Sequence, residues 1–370
     1  MALRTVLTIL LGASAALAAT PLSNPPEIVS ANGVLNGILA AAPATVQVGA
    51  KRVNMTVYNG LLMPPLLRVQ PGDKVRLQLQ NASAMSTNIH YHGFGVTPQG
   101  AGDNVFLDVP TGTTFQYDFE IPNDHPQGLY WYHPHFHPDV NPQIAGGLSG
   151  GIIVGNILAP FPELAGITER VLLLKDTKIR KGKVPEDPDP TGATTRTING
   201  IFKPRIDIAP GELQFWRIGN IGANIYYKLR LPHHVFYVIA QDGNLKNRIV
   251  QTKELLIPPA ARYEVLVRGA KHGKYALKAI KFNTGPQGDH YPAQKLATVV
   301  SSGPKVTNQI PLPTAFPSPP DLRLQQLTGT RTITFADATD SKDPNAQFTI
   351  NDKFYDHNRV DTTVASFCAG

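Results

Sequence analysis

Hydrophobic and polar residues alternate along much of the first part of the chain. Val46 and Val48, and then Val53, Met55 and Val57, are each separated by one polar or small residue. This is the period of a strand with one buried face. No segment before residue 160 carries a long helical period, so we expect an all-β unit of sandwich type. The other strands predicted in this unit are Lys74–Gln80, Asn88–His92, Thr114–Phe119, Gly128–His133 and Gly150–Val154.

A second unit with the same organisation begins near Glu169. Its first predicted strand is Arg170–Leu174, and the turn Pro210-Gly211-Glu212 precedes another strand. The same order, a Pro-Gly-acid turn followed by an alternating strand, occurs at Pro71-Gly72-Asp73. The recurrence indicates an internal duplication at about 140 residues. The alternative is two unrelated β domains that share a common turn type.

These patterns divide the chain into four segments. Residues 1–19 are predicted to be a signal peptide, residues 20–160 a first sandwich and residues 161–305 a second sandwich. Residues 306–370 begin with a Pro-rich extended segment and continue with two further strands. That last stretch is short for a sandwich. The expected fold class is therefore all-β, with two complete sandwiches in tandem and the start of a third.

The N-terminus has the features of an export signal. Arg4 precedes an apolar stretch, and Ala16-Leu17-Ala18 fits the small-x-small cleavage pattern, with Ala18 or Ala19 as the last residue removed. An uncleaved N-terminal anchor is the alternative. No later window approaches 18 consecutive apolar residues. We therefore predict a protein that is secreted or periplasmic and has no membrane partner.

Composition narrows the classes of function. Of the 370 residues, 42% are hydrophobic and only 16% are charged, with 32 glycines and 33 prolines, which suits short strands joined by turns. The net charge of +7 is scattered, without a basic helix or interleaved aromatic residues, so we predict no nucleic-acid partner. The single cysteine, Cys368, excludes an internal disulfide framework and any four-cysteine metal site.

Histidines are concentrated in one part of the sequence, where six of the eleven lie between positions 90 and 137. Two His-x-His motifs are among them, His90 with His92 and His133 with His135. Residues i and i+2 of a strand point to the same face, so each motif directs two imidazoles the same way. One such pair is more often packed or hydrogen-bonded, but two pairs predict a metal site. Imidazole suits copper, zinc, iron or nickel.

Both motifs lie in sequences typical of a known family. Asn88-Ile89-His90-Tyr91-His92-Gly93 and Gly128-Leu129-Tyr130-Trp131-Tyr132-His133-Pro134-His135 resemble the first two copper signatures of the multicopper oxidases, the laccase-like family. The similarity extends over about residues 45–365. Further segments that are similar to the family are Met63-Pro64-Pro65, Ala145–Gly150, Thr197–Gly200, Phe215–Asn220 and Ala260–Tyr263.

The resemblance implies cupredoxin-like Greek-key sandwiches and a copper-dependent oxidoreductase that reduces dioxygen to water at a three-copper cluster. By position, His90 would bind the type 2 copper, and His92, His133 and His135 would bind the type 3 pair. Asp103 lies where the family often has an acid that delivers protons to oxygen, and a plain turn residue is the alternative. The implied partners are dioxygen and a small reducing substrate such as a phenol, an amine or a metal ion.

Two motifs of the family's last domain have no counterpart in this sequence. They are a His-Pro-x-His-x-His segment and a His-Cys-His segment, which complete the cluster and build the type 1 copper site. After His290 the only histidine is His357, and Cys368 has no histidine beside it, so we expect no type 1 site in this chain. The sequence favours a truncated product of a three-domain oxidase. The alternatives are a non-catalytic copper-binding cupredoxin protein and, less favoured, a two-domain oxidase with a site between subunits.

Five other residues receive structural interpretations. His137 is expected to be an outer neighbour of the second histidine pair and not a ligand. Trp131 and Tyr132 are expected to be aromatic residues of the sandwich core. His233 and His234 are expected to lie in a turn or at the surface.

Overall fold

The structure is a computed structural model, in which the chain divides into one compact unit that ends at Pro319 and another that begins at Pro320. The predicted signal peptide lies almost entirely outside the described residues, as do His357 and Cys368. Their predicted roles therefore stay predictions. The described residues are 19–185, 193–286, 288–318, 322–324, 329–337 and 348–354, with the single positions 326, 356 and 359.

The first sandwich is built from nine strands and one short helix. They are β1 (Glu27–Val29), β2 (Val34–Val48), β3 (Lys51–Tyr58), β4 (Leu66–Val69), β5 (Lys74–Asn81), β6 (His90–His92), β7 (Thr114–Glu120), β8 (Gly128–His133), α1 (Val140–Gly146) and β9 (Gly150–Val154). One sheet has the order β3-β2-β5-β7 and the other the order β1-β4-β9-β8-β6. Side chains such as Leu77 and Tyr132 fill the core between the two sheets.

Strand β2 is longer than the sequence pattern indicates. The predicted alternation begins near residue 45, whereas β2 begins at Val34. Leu35, Leu39 and Ala41 are buried and alternate with more exposed residues, but Ile38 is 49% exposed, which hides the period. Helix α1 also escapes prediction, because its seven residues are too few to show a helical repeat.

The second sandwich contains the strands that follow residue 160. They are β10 (Thr168–Thr177), β11 (Thr195–Ile198), β12 (Arg205–Ile208), β13 (Leu213–Asn220), β14 (Tyr227–Arg230), β15 (Phe236–Gln241), β16 (Asn244–Thr252), β17 (Glu254–Ile257), β18 (Arg262–Arg268), β19 (Gly273–Ile280), β20 (Phe282–Asn283), β21 (His290–Tyr291) and β22 (Gln294–Ser301). The sheet β11-β10-β13-β18-β15-β16 faces the sheet β12-β22-β19-β14-β17, and Trp216 lies in the core between them.

The two Pro-Gly-acid turns have the same hydrogen-bonded structure. In Pro71-Gly72-Asp73 the carboxylate accepts a 2.6 Å bond from the backbone N–H of Gln70. In Pro210-Gly211-Glu212 the carboxylate accepts a bond of the same length from the N–H of Ala209. The glycine of each turn has a positive φ, 84° and 80°, which favours glycine over any other residue. This detailed correspondence supports the interpretation of an internal duplication.

The interface between the two sandwiches is apolar. Leu129 and Ile153 of the first sandwich form one buried cluster with Val171, Leu173 and other residues of the second. All six residues of β8 are buried, because one face of this strand covers the core of its own sandwich and the other faces the second sandwich. Strand β8 is therefore enclosed by both halves of the unit.

Residues 306–318 lie along the second sandwich. The N–H of Val306 donates a 2.8 Å bond to the carbonyl of Pro210, and the ring of Phe316 packs 4.8 Å from the ring of Phe161. The second unit contains a 3₁₀ turn (Leu322–Leu324) and a small antiparallel sheet of β23 (Phe335–Asp337), β24 (Phe348–Ile350) and β25 (Lys353–Phe354). Among the described residues, no helix is long and apolar enough to cross a membrane.

His234 closes the predicted turn, because its N–H bonds to the carbonyl of Leu231, but its side chain is buried and does not lie at the surface. Its Nδ1 donates a 2.8 Å bond to the carbonyl of Pro232, and its Nε2 accepts a bond from the N–H of Ala270. The ring also packs edge-on against Tyr275. His233 lies in the turn, exposed, as predicted. Sequence alone does not distinguish the two neighbours, because the difference depends on the loop that covers His234.

Candidate metal centre

The two His-x-His motifs lie on neighbouring antiparallel strands. Strand β6 pairs with β8 so that His90 lies opposite His133 and His92 lies opposite Trp131. Residues that are directly opposite in a ladder point to the same face of the sheet. His90, His92 and His133 therefore share one face, and the residue between the first two, Tyr91, points into the sandwich core. The predicted same-face geometry is confirmed for the first motif and the predicted strand adjacency for both, whereas His135 lies beyond the end of β8, so the strand rule does not apply to the second motif.

Three of the four predicted ligands converge on one point. His90, His92 and His133 each present a ring nitrogen, and these nitrogens lie within 4.8 Å of one another. The shortest separation is 3.3 Å, between His92 Nδ1 and His133 Nε2. His135 follows the end of β8, outside this group of three, with its ring centroid 5.2 Å from that of His90. The ring of His137 lies 5.2 Å beyond His135.

Asp103 orients the first histidine. Its Oδ1 accepts a 2.8 Å bond from His90 Nδ1 and another 2.8 Å bond from the backbone N–H of Tyr91. With Nδ1 protonated towards the carboxylate, the lone pair of His90 is on Nε2. A carboxylate that fixes the tautomer of an imidazole in this way is a common partner of metal-binding histidines. Asp103 is thus in contact with the cluster and is more than a turn residue.

The second motif also leaves nitrogen lone pairs available. His133 Nδ1 donates to the carbonyl of Pro134 over 2.8 Å, so its Nε2 is the acceptor nitrogen that faces His92. The Nδ1 atom of His135 is buried without a hydrogen-bond partner. A buried polar atom without a partner is costly unless a ligand satisfies it. These donor atoms are suited to a metal ion.

Burial favours the uncharged form of three imidazoles, those of His92, His133 and His135. It lowers the pKa of His92 to about 4, with a further contribution from the nearby guanidinium of Arg262 and from His90. Burial also holds the pKa of His133 well below its usual range and lowers that of His135. Neutral imidazole is the form that offers a lone pair to a metal. These rings can therefore act as ligands at neutral pH and below.

Arg262 of the second sandwich reaches the strand that carries His133. Its Nε donates a 3.1 Å bond to the carbonyl of Leu129 in β8, and its guanidinium lies over the ring of Tyr130. Gly93, which follows the first motif, has a φ of 82°, and a Cβ there would lie 2.9 Å from Arg262 Nη2. The sequence does not show this contact, because Arg262 is distant along the chain.

Trp131 is a buried core aromatic, as predicted, but it lies in the apolar cluster between the two sandwiches and borders the histidine cluster. Its ring stacks on His133 at a centroid distance of 4.0 Å and lies 5.0 Å from His92. Tyr132 does lie in the sandwich core, as predicted, and its hydroxyl donates to the carbonyl of Pro65. Alternation along β8 directs the two aromatic side chains to opposite faces, so only Tyr132 faces the core of the first sandwich.

Comparison with known sequences identifies the family. Residues 41–157 and residues 171–304 each match a sequence profile described as multicopper oxidase. The two matches together span more than half of the chain. The chain belongs to the multicopper oxidase family.

This multicopper oxidase chain matches its relatives over part of their length. It is 26% identical over 253 residues to a multicopper oxidase of Staphylococcus haemolyticus, an alignment that covers 65% of this chain and 56% of the relative. It is 23% identical over 239 residues to Laccase-7 of Oryza sativa, where the alignment covers 60% of this chain and 42% of the relative. The chain thus spans about half the length of these relatives.

Solved structures show the same fold. A multicopper oxidase from Campylobacter jejuni, described as a metallo-oxidase, superposes with a TM-score of 0.73 at 26% identity, over 93% of this chain and 75% of that one. A laccase from Pediococcus acidilactici reaches a TM-score of 0.75 at 19% identity, over 93% and 73% of the two chains. These similarities confirm the predicted all-β, cupredoxin-like fold class.

The donor set of this multicopper oxidase chain fits copper. Its converging donors are imidazole nitrogens, which suit copper and other borderline metals. His90 is oriented by a carboxylate, His133 by a backbone carbonyl, and His135 retains a buried nitrogen without a partner. Membership of the family implies copper as the cofactor, and the geometry of these residues is consistent with that ion.

Proposed function

We propose that this chain supplies the first-sandwich half of a trinuclear copper site in a copper-dependent oxidoreductase. His90 would bind the type 2 copper, and His92, His133 and His135 would bind the type 3 pair. The convergence of three imidazole nitrogens within 4.8 Å of one another, on a face shared by two strands, supports this function most directly. The remaining ligands of the site would come from outside the segments described.

When bound, copper supplies one-electron transfer between a reducing substrate and dioxygen. The protein side chains hold and orient the ion and exclude water. His133 is 4% exposed, and Trp131 covers it on one side. Asp103 holds His90 in a single tautomer, and we assign it a second role as the carboxylate that passes protons to oxygen during reduction, which consumes protons as electrons arrive. A phenol, an amine or a metal ion would be the electron donor.

A copper-binding protein without oxidase activity is the second candidate. The single cysteine, Cys368, is flanked by Phe367 and Ala369, and a type 1 site needs a thiolate together with two imidazoles. Without such a site there is no assigned entry point for substrate electrons. A chain of this kind would bind copper at the histidine cluster and would not turn over by itself.

The copper content and the spectra of the purified chain, prepared without an affinity tag, test whether the histidine cluster binds copper. We expect copper to be retained, with nitrogen couplings in its electron paramagnetic resonance (EPR) spectrum and without the intense blue absorption of a copper–thiolate bond. His133→Ala should reduce the copper content, and His272→Ala, a substitution at an exposed histidine far from the cluster in sequence, should not. Equal copper content in the two variants would contradict the proposed site.

Oxygen uptake separates the two candidate functions. The copper-loaded chain is supplied with a phenol, an aromatic amine or ferrous iron, and oxygen consumption is followed with an electrode. Turnover that is lost in His133→Ala supports the oxidase. Retained copper without oxygen uptake for any of the three donors supports the copper-binding protein instead.

We also propose export to the periplasm or the cell exterior, on the basis of the N-terminal sequence. Expression of the full chain in a bacterial host, followed by N-terminal sequencing of the exported product, tests this prediction. The expected first residue is Ala19 or Thr20, after cleavage behind Ala18 or Ala19. A product that keeps Arg4 and stays in the membrane fraction would instead support the uncleaved anchor.

A further inference from the structure

A single buried carboxamide joins three segments around the metal centre. Asn88 lies two positions before His90, the first residue of β6, and is completely buried. Its Oδ1 accepts a 2.6 Å bond from the backbone N–H of His135. Its Nδ2 donates 3.0 Å bonds to the carbonyls of Val105 and Leu107. Both the nitrogen and the oxygen of this side chain are therefore hydrogen-bonded.

Each of the three segments carries a residue of the candidate site. His90 follows Asn88 by two positions, and His135 is the very residue whose N–H binds the carboxamide. The segment that contains Val105 also contains Asp103, two positions earlier, the residue that orients His90. One planar group thus connects the first histidine motif, the second motif and the carboxylate.

The position of β6 explains why such a connection is needed. Strand β6 has three residues and is the last strand of its sheet, paired only with β8. On its other side no strand holds the backbone among the described residues. Contact with the neighbouring segment is made by side chains at Asn88 and Asp103, and by the backbone bridge between Thr87 and Val109. A short edge strand held in this way depends on each of these bonds.

We propose that Asn88 is a positioning residue of the copper site, which sets His135 relative to His90 and holds the Asp103 segment beside them. This inference rests on the proposed function, because it assigns the histidines to copper. A carboxamide is required since it supplies one acceptor and two donors in a single plane. Aspartate has the same shape but would bring a carboxylate against two carbonyl oxygens.

Asn81 provides a matched control in the same sandwich. It is 2% exposed, its Nδ2 donates to the carbonyls of Met85 and Val109 over 2.9 and 2.8 Å, and its Oδ1 accepts from the N–H of Ser83. The bonding is the same in kind as that of Asn88, with one additional bond from the hydroxyl of Ser83 to Oδ1, and none of the partners is a histidine. Substitutions at the two sites remove equivalent hydrogen bonds at different distances from the metal centre.

The experiment compares Asn88→Asp and Asn88→Thr with Asn81→Asp and Asn81→Thr in the full chain. Copper affinity is measured by competition with a chelator, the copper environment by EPR, and the thermal midpoint by circular dichroism. We expect similar decreases of the midpoint at both sites. Copper affinity should fall about 10–100-fold only in Asn88→Asp, the range typical of residues that orient metal ligands. The copper affinity of Asn88→Thr, which keeps an acceptor and one donor, should lie between those of the wild type and Asn88→Asp.

The outcomes distinguish the inference from the proposed function. An Asn88→Asp protein that binds copper with wild-type affinity and EPR couplings would overturn the inference. Equal loss of affinity in the Asn81 variants would overturn it as well, since the effect would then come from general destabilisation. If the His133→Ala variant binds copper with the same affinity as the wild-type chain, the proposed site fails, and the inference fails with it. If Asn88→Asp does not fold, the affinity of Asn88→Thr relative to Asn81→Thr decides.

Discussion

Lys175 places a buried ammonium group between the two sandwiches. The residue belongs to β10 and is 1% exposed. Its Nζ donates to the carbonyls of Leu62, Gly147 and Ser149 of the first sandwich, over 3.1, 3.0 and 3.1 Å. Gly147 is also the residue that ends helix α1. Replacement of this lysine by methionine keeps the length of the side chain and removes all three hydrogen bonds.

The same burial makes the stability dependent on pH. It lowers the pKa of Lys175 from 10.5 to about 7. Between these two values the unfolded chain, whose lysine is exposed, holds one proton more than the folded chain. Stability therefore rises with pH in this window, by up to about 1.4 kcal/mol for each pH unit and by about 2.3 kcal/mol from pH 7, where the folded lysine is half protonated, to pH 9. Below pH 7 the group is charged in both states and contributes no further pH dependence.

Lys175→Met should remove this slope and also destabilise the chain. At pH 6 the loss leaves the carbonyls of Leu62 and Ser149 without the Lys175 donor, at a cost of about 1–3 kcal/mol for each of these two carbonyls, whereas the carbonyl of Gly147 keeps its bond from the N–H of Ser149. Unfolding in urea is followed by the fluorescence of the two tryptophans, Trp131 and Trp216, which are both buried. The difference in unfolding free energy between wild type and variant should grow by about 2.3 kcal/mol from pH 7 to pH 9.

Lys278→Met is the control for this experiment, because Lys278 is exposed in the same sandwich. This variant should follow the wild-type pH dependence. Parallel stability curves for wild type and Lys175→Met between pH 7 and pH 9 would refute the lowered pKa. Equal stability of the two proteins at pH 6 would refute the role of the three carbonyl contacts.

Three further substitutions test the metal centre and its support. Arg262→Met removes the bond to Leu129 and should cost about 1.5–3 kcal/mol of unfolding free energy, measured in urea against Arg248→Met at the surface. Asp103→Asn keeps an acceptor for His90 but removes the charge, so oxygen uptake should fall about 10²–10⁴-fold while copper content is retained; loss of copper would contradict this. Gly93→Ala forces a side chain into a left-handed conformation and should lower the unfolding free energy by about 1–2 kcal/mol, which is measured as a lower thermal midpoint. An unchanged midpoint would contradict the left-handed backbone at this position and the close approach of Arg262.

Most of the strands of the fold follow from local sequence. In β5, Val75, Leu77 and Leu79 face the core and alternate with polar residues, so the period can be read without knowledge of the neighbours. The predictions fail where burial depends on contacts with neighbouring strands and not on local alternation of apolar and polar residues. In the first half of β2 only Leu35, Leu39 and Ala41 are buried, and Ile38, an apolar residue between them, points to solvent.

The candidate site is predictable in part, because the His-x-His spacing fixes which side chains share a face within a strand. The register between His90 and His133 cannot be obtained in this way. Strands β6 and β8 are separated in sequence by β7, which belongs to the other sheet, so no hairpin turn sets their alignment. The contacts of Asn88, Asp103 and Arg262 depend on loops and on the second sandwich, and they appear only in three dimensions.

The second sandwich supports the metal centre although, within the described segments, none of its histidines joins the cluster. Leu129 shares a face of β8 with His133, and Leu173 of the second sandwich packs in the cluster that covers this face. Apolar contact excludes water but is not directional. The bonds from Arg262 and Lys175 to backbone carbonyls have defined directions, so they fix how the sandwiches are oriented. The enclosure of His133 therefore depends on the directed hydrogen bonds of Arg262 and Lys175 as well as on hydrophobic packing.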